Sequence, residues 1–159
     1  MDWFSGRPGM EDTQELTDSI VHRFLTVLRF QHRSSALIQQ KVQIPGRQVA
    51  VLRFLIESGP STVTQVSRFL YVREATASTM LERMEQSGFV TRNRSAEDNR
   101  KVIVEPTVLG TEVVLHAPLG MVALLRERLP KQPLEDLKAI EKALAILSRL
   151  GDVDESLLD

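Results

Sequence analysis

There is no cysteine among the 159 residues, which excludes disulfides, thiol catalysis and redox sensing through a thiol. No run approaches the roughly 18 apolar residues of a membrane span, and the first residues lack a basic-then-apolar export pattern. The expected address is therefore the cytoplasm, with no membrane partner. Histidine is scarce: His22, His32 and His116 are the three. On one helix, His22 and His32 would stand about 80° apart around the axis and ~15 Å apart along it, too far to share a metal. They read as ordinary histidines, and no metal or other cofactor is expected. A Gly-rich phosphate loop, a His-Glu-x-x-His pair and a Gly-x-Ser-x-Gly elbow are all missing, so nothing points to an enzyme. Internal repeats and low-complexity tracts are missing too.

What remains is a core-forming chain, 42% hydrophobic and 26% charged, with a formal net charge of −1. That size suits one domain, or one domain with an extension. Charge is unevenly spread. Residues 21–56 hold six Lys/Arg and no acid, whereas residues 107–159 hold six against nine acidic residues. The segment 61–106 is nearly balanced, which suits a few placed arginine contacts better than a broad basic surface.

Residues 1–11, with Gly6, Pro8 and Gly9, read as an irregular tail; Trp3 and Phe4 are large for one, and Met10 is an alternative start. Asp12 and Glu15 open a helix that Leu16, Ile20, Phe24, Val27 and Leu28 continue to about Val42. Pro45-Gly46 breaks the chain. Gln48 to Ser58 forms a second helix with Val49, Leu52, Leu55 and Ile56 inward, stopped by Gly59-Pro60. Beyond residue 106, Thr107 opens another helix, and Pro118 forces a kink or break near 117–120. Met121 to Leu129 resumes, and Pro130 and Pro133 bracket a loop. A last helix, 134–150, sets Leu137, Ile140, Leu144 and Leu147 in a narrow apolar stripe, and Gly151 ends it. An acidic tail, 152–159, follows. The stripe and the long first helix offer more apolar surface than the middle of the chain can cover, unless the two terminal elements pack on each other.

The middle is the most informative stretch. Thr62 with Gln65 has the capping-box spacing, and Val63, Val66, Phe69 and Leu70 form a helical stripe. After a turn at Tyr71 to Arg73 comes a second helix, apolar at Ala77, Met80, Leu81 and Met84 and ended by Gly88. Its opposite face carries Ala75, Thr79, Glu82 and Gln86, flanked by Thr76, Arg83 and Ser78. Such small, hydroxylated and basic side chains let a helix approach base edges in a major groove. Phe89 to Arg94 and Lys101 to Glu105 then read as two strands joined by a polar tip, with Arg92, Arg94 and Lys101 placed to face phosphate.

Helix-turn-helix followed by such a ribbon is a winged helix, and here the chain resembles the MarR (multiple antibiotic resistance regulator) family. Carrying the resemblance are Leu81-Glu82-Arg83-Met84-Glu85-Gln86-Ser87-Gly88-Phe89-Val90-Thr91-Arg92, then Asp98-Asn99-Arg100, then Thr107-Val108-Leu109-Gly110. It extends over about residues 13–150. The implied fold is mainly α: a winged helix-turn-helix core (43–106) with a two-stranded wing, between N-terminal (12–42) and C-terminal (107–151) dimerisation helices.

The implied function is binding of duplex DNA, at an operator of two pseudo-palindromic half-sites, by a homodimer that represses transcription. Thr76, Ser78, Thr79 and Arg83 would read or flank bases. Asp98 would orient Arg100 into the minor groove, whose narrow walls focus negative potential. Leu137, Ile140, Leu144 and Leu147 would lie in the dimer interface. A small aromatic or anionic effector between the dimerisation helices and the core is implied as well, with Arg29, Phe30, His32 and Arg33 as residues that could face it. Two departures stand out. Arg73 occupies the family's small capping position and adds a charge that could reach phosphate, and Pro106 replaces a leucine after the second wing strand. The alternative reading is a winged-helix module that binds protein and not DNA, favoured by the near-neutral charge of 61–106.

Overall fold

Helical periodicity in the first forty residues becomes one long helix, α1 (Met10–Val42), in the computed structural model, which describes residues 10–154 apart from 97 and 99. The helix begins two residues before the expected start, inside the stretch read as tail. Trp3, Phe4 and residues 155–159 of the acidic tail lie outside the described residues. Then follow α2 (Gly46–Ser58), β1 (Ser61–Thr62), α3 (Val63–Leu70), α4 (Glu74–Gln86), β2 (Val90–Arg94), β3 (Val102–Pro106), α5 (Val108–His116), α6 (Met121–Arg128), a 3-10 turn at Leu129–Lys131 and α7 (Leu134–Leu150). No single described helix is long and apolar enough to cross a membrane.

The core is the meeting of α2, α3, α4 and the sheet, where Val51, Leu52, Leu55, Val66, Leu81, Met84, Val90 and Val104 are all fully buried. Helix α2 packs against α5 as well as against α3 and β3, so it buries more than one stripe. Val51 is consequently inside, although a single-stripe reading leaves it out, and Ile56, expected inward, is 41% exposed. Thr62 caps α3 as its spacing predicts: its hydroxyl accepts from the Gln65 N–H while Gln65 Oε1 accepts from the Thr62 N–H at 2.8 Å. Tyr71 then leaves the helix in the left-handed region, φ 53°.

The wing is larger than two strands. Its sheet is antiparallel, in the order β1-β3-β2, because Ser61 and Thr62 pair with Val104 and Ile103. This edge strand ties the entrance of α3 to the wing. Between β2 and β3 the register runs from Val90 opposite Pro106 to Arg94 opposite Val102. Pro106 ends β3, as the missing N–H requires.

Thr107 joins the wing to α5. Its hydroxyl donates to the Gly88 carbonyl at 2.6 Å and accepts from the Gly110 N–H at 3.0 Å, and its own N–H donates to Phe89 O at 3.0 Å. The Thr-x-x-Gly spacing is thereby explained, since the threonine caps α5 and the glycine lets the helix lie directly on the Phe89 backbone. Pro118 breaks the chain as expected, and the direction turns by 85° between Val108–His116 and Met121–Lys131. The open end of α5 is closed by Arg53 of α2, whose Nη2 donates to Ala117 O at 2.6 Å. Helix α7 contributes no buried residue to the chain.

Candidate nucleic-acid interface

Because α4 buries Ala77, Leu81 and Met84, the helical repeat turns the other residues outward. Ala75, Thr76, Thr79, Glu82, Arg83 and Gln86 are all exposed. Thr79 Oγ1 donates to Ala75 O at 3.0 Å, which leaves its methyl and its two acceptor lone pairs on the surface. Arg73 is exposed at the start of α4 and supplies no side-chain cap; Glu74 in the first turn meets the positive end of the helix dipole instead.

The wing tip is a compact turn. Ser95 N–H donates to Lys101 O at 2.8 Å and Lys101 N–H to Asp98 O at 2.9 Å. Asp98 meets Arg100 through the main chain. Its carboxylate takes the Arg100 main-chain N–H at 3.0 Å and stands 4.0 Å from Lys101 Nζ, so it shapes the loop that presents Arg100 instead of gripping the guanidinium. Arg94, Arg100 and Lys101 are exposed on this ribbon. Asn99, between Asp98 and Arg100, lies outside the described residues.

Arg92 and Ser78 correct the sequence reading. Arg92 does not face outward toward phosphate: its side chain is only 16% exposed and lies on α4, with Nη1 3.4 Å from Glu82 Oε1 and Nη2 donating to Ser78 Oγ at 3.4 Å. Ser78 is correspondingly half-buried. The period-2 alternation of a strand could have shown this, because Val90, Arg92 and Arg94 share one face and Val90 is in the core.

A second feature, a cavity of about 710 Å³, lies between α1, α2, the α3–α4 turn and α6. Phe54 and Phe69 stack with centroids 4.4 Å apart, and the Arg126 guanidinium lies over Phe69 at 3.8 Å while donating to the Phe69 carbonyl. Helix α1 supplies Gln31, Ser35 and Ile38 to the wall; Arg29, Phe30, His32 and Arg33 are not among its lining residues.

Comparison with known proteins agrees with this geometry. The MarR family model matches residues 44–102, from just before α2 to the first residue of β3. The organic hydroperoxide resistance transcriptional regulator of Bacillus subtilis (strain 168) is 36% identical over 117 residues, covering 67% of this chain and 71% of that protein. The uncharacterized HTH-type transcriptional regulator YfiV of the same organism is 28% identical over 109 residues, covering 69% and 68%. Among solved structures, Sco3205, a MarR family transcriptional regulator from Streptomyces coelicolor in complex with DNA, superposes with a TM-score of 0.62 at 19% identity, covering 91% of both chains. AbfR, solved bound to DNA in its overoxidized form, is 25% identical with a TM-score of 0.55, covering 88% of this chain and 98% of that one. The chain belongs to the MarR family of transcriptional regulators.

Proposed function

We propose that the chain is a repressor that binds duplex DNA as a homodimer, reading the major groove with α4 and the minor groove with the wing. The observation that carries this is the outward face of α4, small and hydroxylated at Ala75, Thr76 and Thr79, beside a ribbon that exposes Arg94, Arg100 and Lys101. In this reading residues 43–106 are the reading core, and residues 12–42 and 107–151 build the dimer over a pseudo-palindromic site. The protein is a regulator rather than an enzyme and works in the cytoplasm, where its DNA is. Two solved relatives, Sco3205 and AbfR, were found with DNA. An effector fits the 710 Å³ cavity, to whose wall Phe54 and Phe69 contribute aromatic surface and Arg47, Arg53 and Arg126 contribute cations. A small planar aromatic anion matches that wall.

The test is an anisotropy titration on duplexes selected from a random pool, repeated across salt concentrations. Arg100→Ala should flatten the slope of log K against log salt by roughly 0.9, one phosphate's worth of released counterion. Thr79→Ala should keep the slope and lose ~1–3 kcal/mol of discrimination at one or two base pairs per half-site. Unchanged affinity and slope for Arg100→Ala would favour the protein-binding module over the DNA reader.

One relative is named for organic hydroperoxide resistance, but this chain has no cysteine and so no thiol through which to take a peroxide signal. Mild peroxide should leave DNA binding intact, since the five methionines oxidise only under harsher conditions. Rapid loss of binding that a reductant reverses would contradict this.

A further inference from the structure

Resting on the DNA-binding reading, we propose that Arg92 is a positioning residue: it pins the wing to the recognition helix and masks the Glu82 carboxylate on the face turned toward DNA. Three groups of α4 hold it. Glu85 Oε1 accepts its main-chain N–H at 3.1 Å, Glu82 Oε1 lies 3.4 Å from Nη1, and Ser78 Oγ accepts from Nη2 at 3.4 Å. Ser78, Glu82 and Glu85 are spaced by four and three residues and so form one stripe of the helix. The planar guanidinium can reach a hydroxyl and a carboxylate together, which an ammonium cannot do with the same geometry.

The location matters as much as the bonds. Arg92 is the middle residue of β2, opposite the fully buried Val104. From there the strand leads directly to the tip that bears Asp98 and Arg100. A clamp at this point fixes the direction in which the tip leaves α4, and with it the angle between the two reading elements. Glu82 meanwhile is 55% exposed on a surface meant for a polyanion. Paired, its charge is offset; unpaired, it repels phosphate across a short distance. The Arg92 Nε–H is buried without a partner among the described residues, so this side chain is held by its two outer nitrogens alone.

A double-mutant cycle separates this role from a direct phosphate contact. Arg92→Ala should weaken DNA binding by roughly tenfold, partly by leaving Glu82 unpaired. Glu82→Gln should then raise affinity about threefold or more in the Arg92→Ala background but not raise it in the wild-type background, where removing the charge also loosens the pin. If Glu82→Gln raises affinity by one common factor in both backgrounds, Arg92 and Glu82 act independently and the proposal fails. A second readout needs neither DNA nor the folding of Arg92→Ala. In nitrogen-15 spectra of the free wild-type protein, the Arg92 Nε–H should exchange slowly with water, and Glu82→Gln should speed it. Exchange at the rate of a solvated arginine would show that the side chain is not pinned. A wild-type protein that binds no selected duplex would remove the masking role together with the DNA reading, leaving the pinning to be decided by the Nε–H measurement.

Discussion

Gly110→Ala is expected to unfold this protein or come close to it. A Cβ built on Gly110 would stand 2.2 Å from the Phe89 carbonyl oxygen and 2.9 Å from Leu52 Cδ2. The first obstacle is backbone, already fixed by the Thr107 N–H bonded to that same oxygen. Relief requires α5 to lift off the wing junction, and lifting it breaks the Thr107 cap and opens the contact with Leu52. Overpacking of this kind costs ~3 kcal/mol or more when the obstacle cannot move, and each kcal/mol lowers the melting temperature of a chain this size by ~2–4 °C. A thermal melt should therefore drop by roughly 10 °C or the variant should express unfolded. A melt within about 2 °C of wild type would mean that α5 yields freely. Gly59→Ala provides the contrast, because nothing lies within 4 Å of its Cβ and the cost comes only from a backbone at φ 79°, ψ −169° that favours glycine.

The other large effect concerns the proposed dimer. Helix α7 has no fully buried residue within one chain, and Leu144 and Leu150 stand 58% and 73% exposed. Helix α1 exposes Leu16, Ile20, Phe24 and Leu28 over more than three of its turns. Apolar surface of this extent calls for a partner, and an obligate interface buries on the order of 2,000 Å² or more. Sedimentation of the wild type at micromolar concentration should give twice the chain mass. In a two-fold interface Leu144→Glu enters twice, so each dimer would desolvate two carboxylates. A loss of roughly 3 kcal/mol or more follows, over a hundredfold in the dimer dissociation constant. DNA affinity should fall with it, since single half-sites bind weakly. A concentration-independent monomer mass for the wild type would exclude the dimer.

The seven helices among the described residues are readable because each announces itself locally. Thr62 with Gln65, Thr107 with Gly110, and Pro118 each state where a helix must start or stop. Strand β1 was not readable, for Ser61 and Thr62 are two residues without alternation, and only the free edge of β3 makes them a strand. Val51 is left out of the inward set and Ile56 put into it because periodicity finds one stripe, whereas α2 has neighbours on several sides. Residue type made the exposed face of α4 visible. The direction of Arg92 depends on register and on what stands across from it, and neither is a property of the arginine itself. The cavity was invisible for the same reason, being assembled from α1, α2, the α3–α4 turn and α6.

The corner at Pro118 has a consequence for measurement along the double helix. Arg53 fastens the end of α5 to α2 in the core, and Arg126 fastens α6 to Phe69 and the turn beside Tyr71. Both arms of the 85° bend are thus bolted to the body that carries α4. In a two-fold assembly the bend then adds no play of its own to the separation of the paired α4 helices. A reader built this way would act as a caliper. It tolerates a changed base within a half-site at the cost of one contact, but an inserted base pair between half-sites, which shifts one by ~3.4 Å and about 35°, defeats both contacts together.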